Sequence, residues 1–129
     1  MDAVILGKKY PMAYTVAAQS VIAKRFGGIE KIEQAFRADD IAGFMDNMAF
    51  CASAMIKGYA DRETVRAITK GDKAQEFPVL TPEQIAAAIL PGEVKPLANA
   101  VMAALKEGNK VEVEVSPKKG KNAEATQSE

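Results

Sequence analysis

Hydrophobic and polar positions divide the chain into short segments with different periods. Ala3-Val4-Ile5-Leu6 is an apolar run, Gly7-Lys8-Lys9 turns the chain, and Tyr10 to Tyr14 returns it. These residues, 3–14, read as a β-hairpin, with Gly supplying positive φ at the turn and Pro11 marking the return strand as an edge. An isolated hairpin is only marginally stable, so this one is expected to lie on helices. Thr15 is a good N-cap for a helix from Val16 to Phe26, which Gly27-Gly28 stops. Ile29, Ile32 and Phe36 recur with helical spacing and predict a second, short helix. Asp39-Asp40 offers a cap for a third, Ile41 to Tyr59.

That third helix carries the clearest signal. At about 100° per residue, Ile41, Phe44, Met45, Met48, Ala52, Met55, Ile56 and Tyr59 share one side. Asp46, Asn47, Ser53 and Lys57 lie opposite, and Phe50 breaks the pattern by falling among them. Gly58 is read as ending this helix or loosening its last turn, and Asp61-Arg62-Glu63-Thr64 as starting a fourth through about Thr69. Residues 71–80 read as a loop. Thr81-Pro82-Glu83-Gln84 is a capping box with proline at N1, predicting a helix from Pro82 to Leu90 closed by Pro91-Gly92. A last helix is expected after Pro96, with Leu97, Val101, Ala104 and Leu105 on one face and Gly108-Asn109 at its end.

Lys110 to Val115 alternates Val with Glu, a period of two. It reads as a strand beside the hairpin, with membership of the tail as the alternative. Ser116 to Glu129 is almost wholly polar and cannot bury enough apolar area to offset its ordering entropy, which predicts a disordered tail. The expected fold is therefore α+β and mainly α. An N-terminal β-hairpin packs on about five helices in one domain, residues 1–115, followed by a disordered tail, residues 116–129.

Composition narrows the function. The chain has 129 residues, with 17 basic and 17 acidic side chains, no histidine and one cysteine. This excludes histidine-based triads, tetrahedral Cys/His zinc sites and an internal disulfide. The neutral balance lacks the basic excess of a typical nucleic-acid binder. Residues 1–38 hold six basic and three acidic groups (+3), and residues 39–64 hold two basic and five acidic groups (−3). Two short helices joined by Gly27-Gly28 could imitate a helix-turn-helix, but Glu30 and Glu33 would then face phosphate. The N-terminus lacks the positive leader and long apolar core of a secretory signal, and no run suits a membrane span. A cytoplasmic, non-membrane protein is expected, and Cys51 within an apolar helix reads as a small buried hydrophobe.

The candidate chemistry is sparse. Asp39, Asp40 and Asp46, or Glu112 and Glu114, could hold a divalent ion, but helix capping and solvated faces account for them. Gly27-Gly28 lacks the spacing of a phosphate loop. No catalytic, cofactor-binding or metal-binding residue is assigned, and no enzymatic activity is expected. Methionine is frequent (Met12, Met45, Met48, Met55 and Met102), which suits either a core or a surface that repacks on a partner. The partner-binding candidates are Phe50, Met45, Met48 and Met55. For Phe50, cover by another element and exposure as an anchor both remain open.

The run Val4 to Tyr14, the helix Thr15 to Phe26, Gly27-Gly28 and the segment Ile29 to Phe36 together resemble the opening of tail assembly chaperones of long-tailed bacteriophages and prophages. The resemblance extends in outline to the helical body and polar C-terminus, with its specific residues in positions 4–36. It implies a non-catalytic protein of the host cytoplasm that binds the tape measure protein, and the tail tube protein, keeping the tape measure soluble while tube subunits polymerise. It also implies that a longer form made by translational frameshift could join at the tail from Ser116. Shielding of a helical client by a Met-rich and aromatic surface would be the mechanism. A small DNA-binding regulator of a mobile element is the first rival reading, and a carboxylate-metal enzyme the second.

Overall fold

The computed structural model describes residues 1–36 and 40–109. The expected strand at 110–115 and the expected tail at 116–129 lie outside them. Among the described residues the chain is mainly helical, with one two-stranded antiparallel sheet. Strand β1 (Asp2–Ile5) pairs with β2 (Lys8–Pro11), Ile5 opposite Lys8 and Asp2 opposite Pro11. The turn is thus Leu6-Gly7, not Gly7-Lys8-Lys9, and the return strand ends at Pro11. Both turn residues have positive φ, 53° and 77°, as a type I′ turn requires. Gly7 takes this conformation freely; Leu6 does not, and its side chain is 78% exposed. Ala3 and Ile5 turn inward and are buried.

Helix α1 (Val16–Phe26) starts as expected: the Thr15 hydroxyl accepts from the Ala18 N–H at 3.1 Å, and Gly27 closes it in the left-handed region. A 3₁₀ turn (Ile29–Lys31) runs into α2 (Ile32–Ala35), a single four-residue turn. Four helices, α1 and α3 to α5, exceed one turn, where about five helices were expected. The difference arises in α3 (Ile41–Lys70), which absorbs the two helices expected on either side of Tyr59. The Asp40 carboxylate caps α3 by accepting from the Ala42 N–H, and Gly71 ends it.

Gly58 therefore lies inside a helix of 30 residues, where glycine costs about 1 kcal/mol relative to alanine. Packing explains it. A Cβ at Gly58 would stand 2.5 Å from the Ala13 carbonyl oxygen and 3.1 Å from the Thr15 hydroxyl. The Ala13 N–H donates to the Met55 carbonyl at 2.9 Å. The segment leaving the hairpin thus docks onto the backbone of α3. Beyond it, Asp61–Lys70 has no buried residue. Two surface ion pairs, Lys57–Asp61 at 2.8 Å and Glu63–Arg66 at 3.1 Å, support that exposed stretch, each contributing about 0.3–0.5 kcal/mol.

The Thr81 capping box forms in full, with Thr81 Oγ1 accepting from the Gln84 N–H and Gln84 Oε1 from the Thr81 N–H. Helix α4 (Pro82–Ala88) stops two residues before Leu90, because Ile89 and Leu90 are extended and Pro91 disfavours helical geometry before it. Helix α5 (Val94–Gly108) begins two residues before Pro96; a proline in the first turn forfeits no helical hydrogen bond. Gly108 is its last residue, and a Cβ there would lie 2.5 Å from Tyr14 Cβ. The core gathers Ile5, Met12, Ile22, Ile85, Leu97, Val101 and Leu105 around Met48, Cys51, Ala52, Met55 and Ile56 of α3.

Two outcomes follow. Gly58→Ala should lower the unfolding free energy by roughly 2 kcal/mol, the overpacking cost exceeding the gain in helix propensity, whereas Gly92→Ala, whose Cβ meets nothing within 4 Å, should change it by less than about 0.5 kcal/mol. Leu6→Asn, which puts an Asn-Gly pair in the type I′ turn, should raise stability by about 1 kcal/mol. Chemical denaturation of each variant reads both values.

Candidate functional site

The partner-binding candidates do not come together on one surface. Met48 and Met55 have no exposed area and fill the core. Met45 and Phe50 are half-buried. Phe50 lies on the side of α3 that the helical pattern marks as polar, and α1 covers that side only in part. The Arg25 guanidinium of α1 sits 4.6 Å from the Phe50 ring centroid, a cation–π contact of about 0.5–1 kcal/mol. The Ser53 hydroxyl, on the same side, donates to the Leu80 carbonyl at 2.6 Å. Neighbours thus surround α3 on more sides than one apolar stripe anticipates.

The acidic candidates are likewise dispersed. Asp40 is engaged as the α3 cap and Asp46 is exposed; Asp39, Glu112 and Glu114 lie outside the described residues. Among the described residues no three acidic or cysteine side chains meet as a metal site. No helix among them is long and apolar enough to cross a membrane. Cys51 is fully buried. Burial pushes its thiol from the ordinary 9.0 up to about 12, with the Arg25 charge opposing the shift. A protonated, enclosed thiol is a poor nucleophile.

An apolar hollow of about 230 Å³ opens beside Phe50, lined by Ala17, Val21, Phe50, Ala54 and Pro82, with Lys57 and Asp61 also in its lining. A second apolar opening lies elsewhere. A groove of about 530 Å³ runs between α5 and the side chains of Phe36 and Phe44. Val94, Ala98 and Met102, four residues apart, line its α5 side. Phe36 and Phe44 form the facing wall, ring centroids 6.1 Å apart and edge to face. A smaller hollow of about 170 Å³ continues it toward the C-terminal end of α5, sharing Phe36 and Met102 and adding Tyr14, Ile32 and Leu105. The charged side chains lining the two are Lys95 and Lys106. A larger hollow of about 760 Å³ lies by the hairpin exit, but Thr15, Asp61, Arg62 and Glu107 make its lining more polar.

Sequence reasoning missed the groove because its residues come from two walls far apart in the chain. One signal was present: Val94, Ala98 and Met102 form a second apolar stripe on α5 beside Leu97, Val101 and Leu105. Helix α5 is thus apolar over a wider arc than the core needs. Comparison with known protein families, with curated proteins and with solved structures gives no match.

The buried thiol sets two linked outcomes. Iodoacetamide at pH 8 should leave Cys51 unmodified in the folded chain and label it in denaturant. An unfolded thiol ionises near 9.0 and the folded one near 12. Its contribution to stability is therefore complete below pH 9 and is lost as pH rises through that interval, by about 1.4 kcal/mol per pH unit. Cys51→Ala should remove that part of the alkaline decline, read by thermal melts from pH 8 to 11.

Proposed function

We propose that the protein is a non-catalytic chaperone of phage tail assembly that binds the tape measure protein, and the tail tube protein, and keeps the tape measure soluble in the host cytoplasm. The observation that carries this reading is the open apolar groove walled by Phe36 and Phe44 and floored by Val94, Ala98 and Met102. Its aromatic, aliphatic and methionine lining suits the apolar face of a helix, the recognition mode by which a long helical client would be shielded. The resemblance of residues 4–36 to tail assembly chaperones supplies the identity of the client. The longer form made by frameshift belongs to the same proposal.

The rival DNA-binding reading has less to stand on. A helix-turn-helix places its second helix in the major groove, and here the element after Gly27-Gly28 is a 3₁₀ turn and a four-residue helical turn.

Co-expression with a candidate tape measure protein tests the proposal. The native chain should move the client into the soluble fraction. Ala98→Glu places a carboxylate on the groove floor and should reduce the soluble client at least five-fold, with the chaperone's own melting temperature within about 3 °C of native. A client equally insoluble with and without the native chain removes the reading. A client kept soluble by the Ala98→Glu variant moves the site off the groove.

A further inference from the structure

The outer end of α3 leaves the body uncovered. Asp61–Lys70 has no buried residue, and Val65 and Ile68 are 58% and 68% exposed. Thr64, Val65, Ile68 and Thr69 are β-branched, so helix propensity gives this stretch little support. At about 100° per residue, Gly58, Asp61, Arg62, Ile68 and Thr69 all fall within about 60° of Val65. The face of α3 that lines the hollow at the hairpin exit, with Gly58, Asp61, Arg62 and Val65, therefore continues outward through Ile68. Met1 and Val16, 55% and 85% exposed, line the same hollow. Four exposed large hydrophobic side chains thus lie along one surface. Its charges are unbalanced at the two ends. Arg62 stands at the inner end and Asp72 just past the Gly71 cap, and neither has an ion pair among the described residues.

We propose that this face binds a second copy of the chain, the outer ends of two α3 helices pairing antiparallel about a two-fold axis. Opposite charges at the two ends of an apolar centre make the face complementary to itself in that sense alone, since parallel pairing opposes like charges. Setting Arg62 of one chain beside Asp72 of the other forms the reciprocal pair by symmetry. The same register places Val65 of each chain against Ile68 and Thr69 of the other. The overlap from Arg62 to Asp72 is about 15 Å long, with the two bodies beyond its opposite ends. The end of each α3 then covers Met1 and Val16 at the other chain's hollow. Four apolar side chains from each copy make a patch smaller than the standard interface of about 800 Å² per partner, which sets a dimer in the micromolar range. Phe44 lies about 27 Å back along α3 from Arg62, so the groove stays outside the contact and the dimer does not rest on the client reading.

Sedimentation equilibrium of the full-length chain tests this, over about 1 µM to about 1 mM to bracket such an affinity. The average mass should rise from the 13.8 kDa of one chain toward twice that value. Ile68→Glu, at an exposed helical position, should weaken association at least ten-fold with the melting temperature within about 3 °C of native. Leu90→Glu, 65% exposed but outside this face, should leave association unchanged. Arg62→Asp sets carboxylate against Asp72 and should weaken the dimer several-fold, and adding Asp72→Arg should restore it. A chain that stays monomeric at every concentration overturns the proposal. Association that survives Ile68→Glu, or that Leu90→Glu abolishes, overturns the assignment to this face. A double variant no better than Arg62→Asp alone overturns the antiparallel register. Client binding enters none of these measurements, so its failure leaves the dimer standing, and a monomeric chain that still solubilises its client removes only the dimer.

Discussion

The structure hangs on the close approach of residues 13–15 to two helices. The Ala13 N–H reaches the Met55 carbonyl at 2.9 Å, which is possible only because Gly58, one turn on, presents no Cβ to the Ala13 oxygen. On the other side Gly108 lets the end of α5 press against Tyr14. Two glycines in different helices thus clamp one short linker. The clamp orients the hairpin, so that Ala3 and Ile5 face the core. It also sets where α1 begins, since Thr15 caps that helix from within the same contact. Finally it fixes α5 against the body, and with it the direction in which Val94, Ala98 and Met102 point.

Local signals in the sequence were legible where a single residue decides the outcome. Thr15 and Thr81 cap their helices, Gly27 ends α1, and the capping box closes with both of its hydrogen bonds. Signals that depend on a distant neighbour were not. Gly58 reads as a helix breaker on propensity alone, because nothing in its own segment reveals the Ala13 carbonyl that makes it necessary. Leu6 gives no hint of a left-handed turn, so the turn falls at Leu6-Gly7 and not at Gly7-Lys8-Lys9. The end of α4 came two residues early because Pro91 holds the residue before it extended, and α5 starts before Pro96 because a proline in the first turn forfeits no helical hydrogen bond.

The same limit governs α3. A periodic stripe tells which side of a helix is apolar only when one side is buried. Here α1 covers part of the side opposite the stripe, with Phe50 under the Arg25 guanidinium and Ser53 tied to Leu80. The methionines that the pattern singled out divide accordingly: Met48 and Met55 fill the core and Met45 stays at its margin. The accessible methionine of the groove, Met102, sits on a different helix. The lining of the groove is thus drawn from the wider apolar arc of α5 with Phe36 and Phe44, and not from the methionines of α3.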